Sequence, residues 1–185
     1  MIEIRIHGRG GQGAVIASEV LASAFFKEGK FVQAFPAFGV ERRGAPVMAF
    51  SRVDDQPIRL RNYIYEPDHI IILDPTLIES TQLDSGLKEN GWVLINSDHP
   101  PKFFARFARF RVATVDANRI AIEFKLGTPT APIVNTAILG AFSKVTGMVS
   151  IDAVVEAVKE FVPSNKAGNA AAAKEAYGRT VSCEG

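Results

Sequence analysis

A cluster of four glycines near the N-terminus constrains the fold more than any other feature of this sequence. Residues 2–6 alternate isoleucine with charged side chains, which predicts a strand. Gly8, Gly10 and Gly13 follow in the spacing G-x-G-x-x-G, and residues 14–30 then carry apolar side chains at helical spacing. A strand, a glycine turn and a helix in this order are typical of α/β folds, in which the turn lies at the carboxyl edge of a sheet.

The remaining pattern predicts a sheet followed by helices. Continuous apolar runs at residues 70–73 and 92–95 are typical of parallel strands buried on both faces. We expect two more strands at residues 31–35 and 112–115, and a hairpin in which residues 47–53 pair with residues 58–60. Helices are predicted over residues 117–126, 132–146, 151–161 and 169–177, with Pro132 at a first helical position.

This order of elements predicts an α/β fold, specifically a Rossmann-like doubly wound sheet with an inserted hairpin and a helical C-terminal layer. At 185 residues the chain can bury one sizeable core. We therefore expect a single domain over residues 1–185.

Composition excludes several classes of function. Twenty-one Lys and Arg against 20 Asp and Glu leave a net charge of +1, so no global field favours nucleic acid. Cys183 is the only cysteine, which excludes an intrachain disulfide and a four-thiolate cluster and indicates a reducing, cytoplasmic setting. The sequence shows neither a secretion signal nor an apolar run long enough to span a membrane.

The glycine loop can be interpreted in three ways. Its residues could receive a phosphate-bearing group, because free amides at a helix N-terminus favour anions. They could instead only permit a tight turn, close packing or the docking of a partner. A bound NAD(P) or flavin is the third possibility, but residues 31–35 lack the carboxylate that would hold a ribose. The candidate cofactor-binding residues are Gly8, Arg9, Gly10, Gly11, Gln12 and Gly13.

A second motif lies in the loop between residues 36 and 46. It combines aromatic residues with adjacent arginines, a composition typical of the energetically important part of a protein interface. A solvated loop with a weak local ion pair is the alternative. The candidate interface residues are Phe35, Pro36, Phe38, Gly39, Glu41, Arg42, Arg43 and Gly44.

Other candidate residues favour structural roles. The cations and phenylalanines of residues 102–111 could form a nucleic-acid platform, but their spacing favours a helix that buries Phe103, Phe104 and Phe107. The three histidines show no ligand spacing, so no metal site is predicted, although His7 ends the first strand beside the glycine loop.

Two aspartates follow predicted strands. Asp74 and Asp116 could bind a ligand at the edge of the sheet or cap a helix.

Three segments, taken together, resemble a known family. GRGGQG after the first strand, the P-x-x-G-x-E-x-R-G pattern at residues 36–44 and the IIILDPT run that contains Asp74 are similar to the gamma subunit or gamma domain of pyruvate and related 2-oxoacid:ferredoxin oxidoreductases. The resemblance extends to about residue 180. It implies that residues 1–185 form one gamma-type domain.

The resemblance implies a function within a multisubunit enzyme. We expect partner alpha, beta and ferredoxin-like delta subunits that carry thiamine diphosphate, magnesium and iron-sulfur clusters. The assembly would oxidise a 2-oxoacid, most simply pyruvate, with coenzyme A to acyl-CoA and carbon dioxide while reducing an external ferredoxin. This chain alone would bind no cofactor and would be inactive. The alternative is a free-standing Rossmann-type protein that binds NAD(P) or a flavin.

Overall fold

The computed structural model describes residues 1–37 and 44–183, and within them seven strands form one sheet. Together with a two-stranded ribbon, the strands are β1 Ile2–Arg9, β2 Phe31–Pro36, β3 Pro46–Asp54, β4 His69–Ile72, β5 Trp92–Asn96, β6 Arg111–Val115, β7 Gly127–Thr128, β8 Ala131–Pro132 and β9 Val181–Cys183. The helices are α1 Ala14–Lys27, α2 Leu77–Ser80, α3 Ala117–Glu123, α4 Ala137–Thr146, α5 Ile151–Phe161 and α6 Lys166–Arg179.

The order of strands in the sheet is β2-β3-β1-β4-β5-β6-β9. Strands β1, β4, β5 and β6 are mutually parallel, whereas β3 runs antiparallel to β1, β2 antiparallel to β3, and β9 antiparallel to β6. The carboxyl ends of the four parallel strands therefore lie along one edge, where α/β folds bind ligands.

The two faces of the sheet are covered differently. On one face, α1 and α3–α6 supply most of the larger core, including Phe25, Ile138 and Phe142. On the other face, α2 and two single-turn 3₁₀ helices pack residues such as Leu77 and Phe107 against β4, β5 and β6. Because the chain leaves β1 toward one face and β4 toward the other, a crevice opens between their carboxyl ends.

The predicted α/β fold is confirmed, but the predicted hairpin partner is wrong. Residues 47–53 lie in β3, whereas residues 58–60 form no strand. Strand β3 pairs with β1 on one side and with β2 on the other, so neither edge is free for residues 58–60. The antiparallel hairpin is instead formed by β2 and β3.

The predicted helix start at Pro132 also needs correction. Pro132 does not begin a helix, because it pairs with Gly127 in the β7–β8 ribbon and α4 starts at Ala137. The single cysteine, Cys183, lies in edge strand β9.

The phenylalanine segment forms two 3₁₀ turns rather than an α-helix. Three residues complete a 3₁₀ turn, so side chains three apart share a face. Phe104, Phe107 and Phe110 are accordingly buried. Phe103, predicted to be buried, is 62% exposed. Arg106 and Arg109 lie at the surface, where both form ion pairs with Asp84.

Close packing of α4 against α6 predicts a strong effect of one added methyl group. A Cβ at Gly140 would lie 1.8 Å from the carbonyl oxygen of Ala173, which is backbone and cannot rotate away. We expect Gly140→Ala to lower the free energy of unfolding by about 3 kcal/mol, at the upper end of overpacking costs. Gly178→Ala, where nothing lies within 4 Å, should change it by less than about 1 kcal/mol. Urea denaturation of both variants checks this, and equal effects would contradict the packing.

Candidate functional site

The glycine loop lies where the carboxyl ends of β1 and β4 meet. Gly11 and Gly13 have φ angles of 95° and 77°, which favour glycine. Gly13 is the N-cap of α1, no side chain caps this end, and the first turn of the helix contains no acidic residue. The backbone amides of that turn are therefore available to an anion, and the helix dipole favours it.

Arg9 does not extend freely from the loop. Its Nε donates to Oδ2 of Asp74 at 3.1 Å, and its Nη2 donates to Oγ1 of Thr76 at 2.8 Å. Its Nη1 donates to the carbonyl oxygen of Gly44 at 3.0 Å. Arg9 thus connects three segments that are distant in sequence, and its side chain is still 31% exposed.

Gln12 completes this network from inside the loop. Its Oε1 accepts from the backbone N–H of Arg9 at 2.7 Å, and its Nε2 donates to Oδ2 of Asp74 at 3.0 Å. Partial burial alone would raise the pKa of Asp74, but hydrogen bonds from Thr76 and Gln12 and the charge of Arg9 outweigh burial and hold the pKa below its usual value. Asp74 is therefore ionised at neutral pH and balances the charge of Arg9.

Two of the glycines also lie in closely packed surroundings. A Cβ at Gly13 would lie 2.3 Å from Nδ2 of Asn135, and one at Gly8 would lie 3.2 Å from Cδ1 of Leu73. The same Nδ2 donates to the carbonyl oxygen of Gly13 at 3.4 Å. Gly8 and Gly13 thus pack closely against neighbouring side chains, and this packing leaves the amides of α1 available.

The fold brings the second motif against the glycine loop. The N–H of Gly10 donates to the carbonyl oxygen of Ala45 at 2.9 Å, and the N–H of Gly44 donates to that of Gly10 at 3.0 Å. Phe35 and Pro36, at the end of β2, are partly exposed. The other candidate interface residues lie outside the described residues; these are Phe38, Gly39, Glu41, Arg42 and Arg43.

His7 is buried and accepts a hydrogen bond from a neighbouring arginine. It is only 4% exposed, and its Nε2 accepts from Nε of Arg5 at 3.0 Å. Burial, and secondarily the charge of Arg5, lowers the pKa of His7 to about 3, so the ring is neutral at neutral pH.

Asp116 is a helix cap rather than part of the glycine site. Its Oδ1 accepts from the backbone N–H of Arg119 at 2.9 Å at the start of α3.

A larger cleft was not predicted from the sequence. It measures about 980 Å³ and lies beyond the carboxyl ends of β4, β5 and β6, between α3 and the 3₁₀ turns. Asn96 and Ser97 form its floor, and the stacked rings of His99 and Phe103 flank it. Two sequence signals coincide with it: Asn96 directly after an apolar run, and Asp116 directly after a predicted strand.

In the part of the chain that the structure describes, no helix is long and apolar enough to cross a membrane. Across the same residues, no three His, Cys, Asp or Glu side chains cluster in a way that could hold a metal ion.

Comparison with known proteins agrees with this geometry. The family described as pyruvate ferredoxin/flavodoxin oxidoreductase matches residues 3–179. The chain belongs to this family. Among curated members, the pyruvate/ketoisovalerate oxidoreductases common subunit gamma of Thermococcus kodakarensis is 53% identical, covering 98% of each chain. Pyruvate synthase subunit PorC of Methanothermobacter marburgensis is 54% identical, covering 96% of each.

Solved structures of the oxidoreductase family share the fold. The pyruvate oxidoreductase subunit PORC of Thermotoga maritima has a TM-score of 0.83 at 34% identity, covering 99% of this chain and 98% of that one. The 2-oxoglutarate:ferredoxin oxidoreductase of Magnetococcus marinus, with 2-oxoglutarate, coenzyme A and succinyl-CoA bound, has a TM-score of 0.72 at 18% identity. The match covers 96% of this chain but 30% of that longer chain, and it shows the fold alone.

The buried neutral state of His7 predicts a loss of stability in acid. The unfolded chain binds a proton near pH 6.5, whereas the folded chain binds it only near pH 3. The contribution of neutral His7 to the free energy of unfolding is fully present above pH 6.5 and decreases as the pH falls toward 3. Between pH 7 and pH 5, wild type should lose about 2 kcal/mol more of its unfolding free energy than His7→Gln.

Urea denaturation at the two pH values measures this difference. His99→Gln, at a side chain that is 53% exposed, is the matched control and should follow wild type. If the pH dependence of His7→Gln equals that of wild type, the burial of His7 does not hold its pKa down.

Proposed function

We propose that this chain is a gamma-type subunit of a 2-oxoacid:ferredoxin oxidoreductase and that pyruvate is its principal substrate. The supporting observation comes from two relatives that are more than 50% identical over nearly their full length. They are named pyruvate/ketoisovalerate oxidoreductases common subunit gamma and pyruvate synthase subunit PorC. The assembly would oxidise the 2-oxoacid with coenzyme A to acyl-CoA and carbon dioxide and pass electrons to ferredoxin.

We infer that partner subunits carry the redox and thiamine chemistry. A single cysteine in 185 residues cannot ligate an iron-sulfur cluster. Thiamine diphosphate, magnesium and the clusters would therefore be held by alpha, beta and ferredoxin-like delta subunits, in the cytoplasm, and this chain alone would be inactive.

The contribution of this chain would be to contact its partners and to help receive coenzyme A. We propose that the amides of the first turn of α1 accept a phosphate of coenzyme A at the glycine loop, beside the charge of Arg9. Residues 35–44 would contact a partner subunit, and the hydrogen bonds of Gly10 with Gly44 and Ala45 would place that contact next to the phosphate.

The position of β2 argues against the alternative of a free-standing dinucleotide-binding protein. In a dinucleotide-binding fold, the acidic residue at the end of the second strand reaches a ribose held at the first. Here antiparallel β3 separates β2 from β1, and β2 carries no carboxylate. The glycine spacing therefore occurs without the second half of an NAD site.

Opposite changes of charge at one ion pair test the role of the loop in binding coenzyme A. Arg9→Gln removes a positive charge, whereas Asp74→Asn removes the negative charge that balances it. If the loop receives a phosphate, the KM for coenzyme A of the assembled enzyme should rise in Arg9→Gln and fall in Asp74→Asn. The KM for the 2-oxoacid should stay constant in both.

A role in packing gives a different result, because either substitution breaks the same ion pair. Both variants would then show the same change in thermal stability and the same direction of change in the KM for coenzyme A, or none. That outcome, measured on intact complexes, would assign the loop to packing and subunit contact alone.

A further inference from the structure

A second cavity lies beside edge strand β2, away from the glycine loop. It measures about 500 Å³ and is lined by β2, by β3 and by the coil that follows β3. The residues that matter here are Gln33 and Phe35 of β2, Arg52 of β3, and Leu60 and Arg61 of the coil. Aliphatic and aromatic groups form much of its wall, and among the described residues no acidic side chain lines it.

Arg52 is a fully buried residue among those that line this cavity. The residue is 0% exposed, and its Nε donates to Oε1 of Glu3 at 2.8 Å while Nη2 donates to the carbonyl oxygen of Asn62 at 2.8 Å. These two bonds fix the plane of the guanidinium, whose central carbon lies 5.3 Å from the ring centroid of Phe35. Its Nη1 is buried with no hydrogen-bond partner among the described residues.

A buried N–H without an acceptor is unfavourable, so this position favours an incoming oxygen. Arg61, at the mouth of the cavity, provides a second guanidinium that is exposed and forms no ion pair with the described residues. Glu3 balances the charge of Arg52, so Arg61 supplies the unbalanced positive charge at the cavity. That charge favours an anion, and the planar fork of arginine suits a carboxylate.

We propose that this cavity receives an aspartate or glutamate side chain from a partner subunit, with its carboxylate at Arg61 above the vacant donor of Arg52. The apolar walls suit the methylene groups of such a side chain. The cavity also adjoins Phe35, one of the candidate interface residues, and no described strand pairs with the outer edge of β2. The proposal rests on the proposed function only in requiring that the chain assembles with partner subunits.

Carbodiimide coupling tests this contact in the assembled complex. Arg61→Lys keeps the positive charge and places an amine at the mouth of the cavity, where the reagent can join it to a carboxylate in direct contact. Mass spectrometry of the coupled complex should find a peptide that joins position 61 to an aspartate or glutamate of a partner subunit. Arg59→Lys is the matched control, because Arg59 is exposed two residues away and does not line the cavity; it should give at most a tenth of that product.

Three results would overturn the proposal. The amine at position 61 could couple to no partner subunit although the complex is intact, or both variants could couple equally. In a third result, 10 mM acetate would raise the melting temperature of the isolated wild-type chain but not that of Arg61→Gln, which would identify the ligand as a free carboxylate. Failure of the wild-type chain to assemble at all would instead overturn the proposed function as well.

Discussion

The ion pair between Arg9 and Asp74 connects the glycine loop with the end of β4 and the chain that enters β3. It joins the carboxyl ends of β1 and β4, where the chain leaves toward opposite faces of the sheet. Gln12 adds a hydrogen bond to the same carboxylate, and Arg9 also reaches the carbonyl oxygen of Gly44. The conformation of the glycine loop and the start of β3 therefore depend on one neutralised pair.

The two faces of the sheet are stabilised in different ways. The face covered by long helices is apolar, and hydrophobic burial determines its packing. On the opposite face, arginines fix irregular coil, because Arg5 donates to the carbonyl oxygens of Leu83 and Ser85 while Arg52 donates to that of Asn62. Fully satisfied arginines hold a coil in one conformation. Arg52 differs from this pattern, because its Nη1 has no hydrogen-bond partner among the described residues.

Local signals in the sequence predicted the regular elements well. The apolar runs at β4 and β5 and the glycine turn before α1 depend on neighbouring residues, and the structure confirms them. Predictions failed where distant strands decide the outcome. Residues 58–60 have an apolar pattern, but β3 has no free edge with which they could pair. Pro132 lies in a two-stranded ribbon because it pairs with Gly127.

The candidate site was predictable in composition but not in arrangement. The glycine spacing identified the loop, and Asp74 was recognised as a strand-end residue. No local pattern indicates that the guanidinium of Arg9 would donate hydrogen bonds to Asp74, Thr76 and Gly44. Nor does one indicate that Gly10 would form a hydrogen bond with Gly44. These contacts join residues more than 30 positions apart, and only the packing of β1 between β3 and β4 creates them.

The central claim is that this chain acts only as part of a larger oxidoreductase. The most direct measurement is ferredoxin reduction by pyruvate and coenzyme A, recorded for the purified chain, for partner subunits prepared without it, and for the two combined. We expect no turnover by the chain alone and full activity only after recombination, at a fixed ratio of subunits. Turnover by the chain alone, or an activity of the partner subunits that its addition leaves unchanged, would contradict the account.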